Sequence, residues 1–422
     1  MNTEIKKLYD KLISTGFGHL FGSSVINKIL GLLSSVVIVR LIPKEEYGLY
    51  ANANNILGLF CVFEGLGMTT ALLQYGSTTD GYHKQQTWSF TFYFALAFQI
   101  FLSALILTCA LTVDYKMKGT GHLLLLMSFL PLVRSVRDMQ NIYMRTELQN
   151  REFARANNFY TIVTVFFSII LSISFLVYGL ILATYISATL SVLFIIFYQK
   201  QSLPKFDFSL PRKEKIEIIK FAVVSAITNS ASMIVYLLDT FILGIVIAQE
   251  AVTASYKVAL TIPTALSFVP MCVMTYIYPH FARHANDTTW CLRNLKKLLF
   301  LFGGTNVLIS FSLILLAPML TTLIFGKQYL DSVTPMRILF INYLISATLY
   351  TVCGQLLVTL KKIKFNMFLN FAVCFINIVL NMLLIPKYGG TGAAIATLIT
   401  TSISAFFCTS YLFYCYKYAN SK

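Results

Sequence analysis

The sequence predicts an all-α integral membrane protein with twelve transmembrane helices arranged as two six-helix halves. Three observations carry that prediction. The 422 residues are 57% hydrophobic and only 12% charged, with a mean hydropathy of +0.72, whereas soluble domains run near 25% charged. Apolar runs of about 20 residues, enough to cross a ~30 Å hydrocarbon layer, recur along the whole chain. A basic, Pro-containing stretch at 200–216 divides those runs evenly.

In chain order the expected spans are about 17–39, 47–72, 87–112, 121–143, 156–178 and 180–199, then 217–247, 252–279, 296–317, 334–360, 365–385 and 391–416. The halves are therefore 1–199 and 217–422, joined by a cytoplasmic basic linker at 200–216. The opening MNTEIKKLYDKLISTGFGHLFG lacks a short apolar core ending in a small-residue cleavage site, so it reads as a cytoplasmic amphipathic start to a retained helix. With that end inside, the outer segments hold only Arg40, Lys44, Lys116, Lys118, Lys327 and Lys387, and most of the 33 lysines and arginines fall inside. That asymmetry places both termini in the cytoplasm. It also accounts for the net charge of +16 through headgroup contact rather than nucleic acid. The eight cysteines lie mostly in apolar runs without a CxxC pair, so neither a metal site nor a disulfide framework is expected.

The chemistry lies in polar stripes inside the spans. In 221–244, Ser225, Asn229, Ser232, Tyr236 and Asp239 recur at steps of three or four and share one helix face. A charge at mid-membrane costs at least ~2.5–3.5 kcal/mol, so Asp239 should face protein or water rather than lipid. The first span carries Ser24, Asn27, Lys28, Gly31 and Ser35 on one face. The fourth carries Arg134, Asp138, Asn141 and Arg145, with Arg137 beside them and Pro131 expected to bend the helix. The eighth has Lys257 with Thr261, Thr264 and Ser267, and the eleventh has Asn366, Asn370, Asn377 and Asn381. Glu64 is a lone acid in the second span, suited to a proton or to a basic partner on another helix.

Each stripe also has a structural reading. Asn and Ser stripes serve as interhelical glue, Arg134 and Asp138 are placed to neutralise each other one turn apart, and Arg145 and Arg337 fit interface anchors. Lys28 and Asp239 have no opposite charge within four residues on their own helices. Asp239 suits either a coupling carboxylate or a lobe-closing salt bridge to Lys28 or Lys257.

Four stretches resemble the polysaccharide-exporter branch of the multidrug/oligosaccharidyl-lipid/polysaccharide (MOP) superfamily, the O-antigen flippases. They are VVIVRLIPKEEYGLYANA (36–53), LLDTFILGIVIAQEAVTASYKVALTIP (237–263) closing with YIYPHFAR, TTLIFGKQYLDSVTPMRILF (321–340), and GQLLVTLKKIKFNMFLNFAVCFINIVLNMLLIPKYGGTGAAIATLITT (354–401). NIYMRTELQNREF (141–153) resembles the family's loop after its fourth helix. Val252 departs from the family, which often has an aromatic residue there. The resemblance implies two lobes in a V around a central cavity. It also implies an undecaprenyl-pyrophosphate-linked oligosaccharide flipped from the inner to the outer leaflet of the bacterial cytoplasmic membrane.

On that reading Lys28, Asn27, Arg134, Asp138, Asn141, Asn229, Tyr236, Lys257 and Asn377 line the substrate cavity, and Asp239 and Glu64 serve coupling or gating. No enzyme activity or cofactor is expected, beyond coupling to H+ or Na+. The partners are the lipid-linked oligosaccharide, membrane lipids and the polymerase and chain-length proteins, with the chain itself a monomer. Five span-embedded bases (Lys28, Arg134, Arg137, Lys257, Arg337) against three acids (Glu64, Asp138, Asp239) favour an anionic substrate over the rival reading, a multidrug or cation antiporter of the same superfamily. A polysaccharide polymerase or ligase would present a larger outward loop than 318–333, and a scaffold role gives the stripes no purpose.

Overall fold

A backbone buried in hydrocarbon must satisfy its own N–H and C=O groups, and a chain this apolar does so by forming helices. The computed structural model describes residues 17–284, 287–360 and 362–418, and all regular structure among them is helical. The first part comprises α1 (Phe17–Leu41), α2 (Lys44–Cys61), α3 (Met68–Gly76), α4 (Gly81–Thr112), α5 (Thr120–Met127), α6 (Leu130–Thr146) and α7 (Asn150–Leu193). After them come α8 (Arg212–Val246), α9 (Glu250–Leu266), α10 (Phe268–Arg283), α11 (Thr288–Leu320), α12 (Val333–Ile345), α13 (Thr351–Thr359) and α14 (Ile363–Tyr418). Eight helical segments among the described residues are long and apolar enough to cross a membrane.

The chain divides into two compact units. One holds residues up to Glu46 and Ala53–Ser230, and the other holds Tyr47–Asn52 and Ala231 onward, so the boundary falls within α8 and the stretch 200–216 belongs to the first unit.

In the first unit, α1 packs along α7, where the Ser23 hydroxyl donates to Asn158 Oδ1 at 2.5 Å. The expected second span is interrupted. Gly65, Leu66 and Gly67 all have left-handed φ angles (59°, 47° and 75°), and a Cβ on Gly67 would lie 2.2 Å from the Ala222 carbonyl oxygen. The Gly65 N–H, freed by the break, donates to the Gln99 side chain at 3.0 Å. Pro131 does not bend a continuous fourth span. That span is two helices, α5 and α6, with Pro131 in the first turn of the second, where its missing N–H is harmless. The 200–211 segment is no loose linker either. It lies as a strap on α4, with the Asp207 N–H donating to Ser89 Oγ at 2.8 Å and the Tyr93 hydroxyl to the Pro204 carbonyl at 3.0 Å. Leu210, 3% exposed, joins Met68, Trp88, Met139 and Ile218 in one core, which contributes about 1.5–3 kcal/mol for that side chain alone.

In the second unit, α12 packs on α9, α11 and α14. Between α12 and α13 the backbone widens into a π-helical turn, Ser346–Tyr350, a feature that often marks functional sites.

The two longest helices, α7 and α14, each contain one sharp break. Leu176 has φ 49° and ψ −124°, and Gly389 has φ 54° and ψ −132°. These breaks fall where the spans 156–178 and 180–199, and then 365–385 and 391–416, meet in the sequence. Three residues on, Gly179 and Gly392 each approach the carbonyl eight residues earlier so closely that a Cβ would lie 2.3 Å from its oxygen. The halves thus share a hairpin device that their side chains hide.

Candidate functional site: a buried carboxylate cage and a charged cluster

Asp239 sits on α8 in the second unit with 5% of its surface exposed. Its Oδ1 accepts hydrogen bonds from the amides of Asn381 at 2.7 Å and Asn377 at 3.2 Å, and its Oδ2 accepts from the Tyr256 hydroxyl at 3.0 Å and from the Thr397 hydroxyl. The local sequence explains the convergence. Asn377 and Asn381 lie one turn apart before the Gly389 break, and Thr397 lies after it, so the reversal at Gly389 brings both arms of α14 to one carboxylate. Four neutral donors thus surround a single acid. No basic side chain forms an ion pair with it among the described residues of the second unit, Lys257 included. Asn381 Oδ1 is buried and has no protein partner. A cavity of about 370 Å³ adjoins the cage, lined among others by Thr264, Asn342, Tyr343, Tyr350 and Asn370. Two of these, Asn370 and Tyr350, are joined through the Tyr350 hydroxyl at 3.1 Å.

Lys257 follows Tyr256 on α9, one turn before Leu260, which lines that cavity. It is partly buried, and among the described residues it has neither an ion pair nor a side-chain hydrogen bond. The backbones of Asn229 and Tyr236 continue α8, but their side chains lie outside what the structure describes.

In the first unit Glu64 occupies the helix break, in electrostatic reach of Arg134, Arg137 and Asp138. One oxygen of Glu64 is buried without a hydrogen-bond partner. Arg137 binds Asp138, with Nε to Oδ1 at 2.9 Å, and lays its guanidinium 3.8 Å from the centre of the Tyr160 ring. Neighbours in sequence do not face each other on a helix, so it is the long arginine arm, folded over an aromatic face, that makes this pair. Two bases and two acids therefore balance within the cluster. Asn141, 4% exposed, has an unpartnered Oδ1 close by in sequence, and Gln140, fully buried, has no partner for either amide atom. Buried polar groups are ordinarily satisfied, so these are groups for water or a ligand to meet. On α1, Asn27 donates to Ser23 at 3.4 Å, while Lys28 is exposed on the surface of the unit.

The structure thus joins Asn377 to Asp239 and brings Arg134 and Asp138 within electrostatic reach of Glu64. It adds Tyr256, Asn381 and Thr397, which the sequence reading did not single out as site residues. Asn381 carried a signal, its place four residues after Asn377 on the amide stripe. Tyr256 and Thr397 carried none, because only the folded hairpin brings them to Asp239.

Residues 37–334 match the family described as polysaccharide biosynthesis protein. Among curated proteins none matches the sequence. Among solved structures, the lipid II flippase MurJ in an inward closed conformation is similar with a TM-score of 0.76 at 16% identity, covering 93% of this chain and 87% of that one. An inward-facing multidrug resistance MATE family transporter of the MOP superfamily is similar with a TM-score of 0.71 at 13% identity, covering 94% and 96%. A MOP superfamily transporter from Pyrococcus furiosus, described by the reverse polarity of its binding pocket, gives 0.63 at 12%, covering 97% and 96%. With its apolar helices and a fold similar to those of MurJ and the MATE transporters, this multi-pass membrane protein belongs to the polysaccharide biosynthesis protein family.

Proposed function

We propose that this chain is a flippase, not an enzyme. Its substrate is an undecaprenyl-pyrophosphate-linked repeat unit of O-antigen or a related surface polysaccharide, carried from the inner to the outer leaflet of the bacterial cytoplasmic membrane. The observation that carries the reading is the family match over 37–334. Twelve crossings with both termini inside, and rocking of two lobes in alternating access, complete the reading. Lys28, Arg134 and Lys257 supply positive charge for the pyrophosphate, and amide and hydroxyl groups suit the sugars. The protein acts as a monomer and delivers to polymerase and chain-length proteins.

Asp239 is the coupling carboxylate. Its acid is compensated by neutral donors alone, so a proton or sodium ion would supply the missing positive charge. Its oxygens, the Thr397 and Tyr256 hydroxyls and the amide oxygens of Asn377 and Asn381, once those amides turn, form an all-oxygen set that suits a hard cation.

Depletion of the protein tests the function. The expected result is accumulation of the complete lipid-linked repeat unit on the inner leaflet. Depletion without any such accumulation contradicts it.

A further inference from the structure

A second cavity lies in the first unit, outside both groups described above. It holds about 510 Å³, inside the range of roughly 300–1,000 Å³ for small-molecule sites. Three elements wall it: the start of α4, the end of α6 with the turn that follows, and the strap from Gln199 to Asp207. The strap is fixed rather than draped. Besides its backbone contacts to Ser89 and Tyr93, Asp207 Oδ2 accepts from the Tyr82 hydroxyl at 2.9 Å, and the Phe206 ring packs 5.0 Å from the Tyr93 ring.

The unsatisfied groups of this cavity converge. Trp88 is 3% exposed and stacks on Tyr143 with ring centres 4.8 Å apart. Its indole N–H has no acceptor among the described residues, although the residue forms part of the wall. Gln199 donates to the Glu152 carbonyl at 2.9 Å, but its Oε1 is buried without a donor. Gln85, Gln149 and Gln201 also line the cavity, and none of their side chains makes a hydrogen bond among the described residues. A buried C=O and three free amides line one space, with the Tyr143 ring, backed by the buried Trp88, in its wall.

The ligand class follows from the amides rather than from the charges. The lining itself holds two bases, Lys200 and Lys205, and two acids, Glu147 and Asp207. Glu147 is already held by Lys84 at 2.6 Å, and Asp207 by Ser209 and Tyr82. With Lys84 counted, three lysines stand against two carboxylates, a surplus of one that does not by itself select a phosphate. Bidentate amide donors and acceptors beside an aromatic face suit hydroxyl and acetamido groups carried on an apolar ring. We propose that this cavity is a glycan-binding site for one or two neutral sugar rings, separate from the charged groups assigned to the lipid carrier. The proposal rests on the flippase reading for the source of the glycan, but not for the chemistry of the site.

The chain has two tryptophans, and Trp290 stacks on His284 in the second unit. A Trp290→Phe protein in detergent therefore leaves Trp88 as the sole reporter. Its emission is titrated with N,N′-diacetylchitobiose, maltose, glycerol and inorganic pyrophosphate. The expected result is a saturable change with at least one disaccharide and none with glycerol or pyrophosphate. Binding should weaken at least tenfold when Gln149→Ala and Gln201→Ala are added, with the sugar-free Trp88 spectrum unchanged as evidence of an intact pocket. A response to pyrophosphate alone, an equal response to glycerol, silence with both disaccharides, or undiminished binding in the double variant overturns the proposal. Silence in a protein that still exports glycan overturns this site only. Disaccharide binding in a protein whose depletion causes no accumulation supports this site while removing the flippase reading.

Discussion

The hairpins of α7 and α14 turn with nearly the same backbone angles, yet one places a leucine at the turn and the other a glycine. At φ near 50° with ψ near −130°, a side chain is strained and glycine is not. The polar interiors differ as well. In the first unit, two arginines and two acids balance one another around a broken helix. In the second, one acid is held by four neutral donors gathered by the Gly389 turn. A shared hairpin device thus accompanies different electrostatics: one unit carries its own counter-charges, and the other holds its acid with neutral donors. That difference is why coupling is assigned to the second unit.

The charge difference predicts the largest effects. Arg134→Glu turns a balanced cluster into three acids against one base. Like charges then crowd around the buried Glu64 with one base left to offset them, so export and protein level should both fall. Lys28→Glu, at an exposed position, should block export with normal protein level, while Lys28→Arg retains a good part of it. If Glu serves as well as Arg at position 28, electrostatic capture there is wrong. The hairpin difference predicts smaller, opposite changes. Gly389→Leu should lower stability by about 1–3 kcal/mol, and Leu176→Gly should be neutral or stabilising by at most ~1 kcal/mol, both measured by unfolding in detergent. Equal losses at the two positions would remove the comparison.

The smallest effect concerns the strap. Hydrogen bonds from the Ser209 hydroxyl and N–H, then from Tyr82, hold the Asp207 carboxyl below its ordinary range. A depressed folded value stabilises the docked strap above the unfolded pKa, near ~3.9 for Asp, and that support is lost as pH falls through the folded value. Hydrogen exchange across 200–210 should therefore rise on acidification below pH ~4, relative to an Asp207→Asn protein that lacks the titration. Identical profiles for the two proteins would contradict this.

Much of the fold was legible because lipid leaves few choices: hydropathy located the long helices, and the amide stripe of α14 and the lone Asp239 pointed to one another. What escaped the sequence depends on backbone geometry at single residues. Nothing in the local apolar pattern marks Leu176 as a turn, and Gly65 to Gly67 read as part of a span until three left-handed residues break it. The strap looked like a linker because Phe206, Phe208 and Leu210 are too few to register as an element, although they suffice to dock it on α4. The expectation for Arg134 and Asp138 used helical spacing alone and could not foresee that Arg137 would fold over Tyr160 and take the same carboxylate.

The central claim is that Asp239 couples an ion to lipid-linked glycan movement. The direct measurement is translocation of an undecaprenyl-pyrophosphate-linked oligosaccharide in vesicles of the purified protein, with and without an imposed proton or sodium gradient, for the native chain and for Asp239→Asn. The account predicts that one gradient accelerates the native protein and that Asp239→Asn, correctly folded, loses that acceleration. An Asp239→Asn protein that still responds fully to the gradient would contradict it.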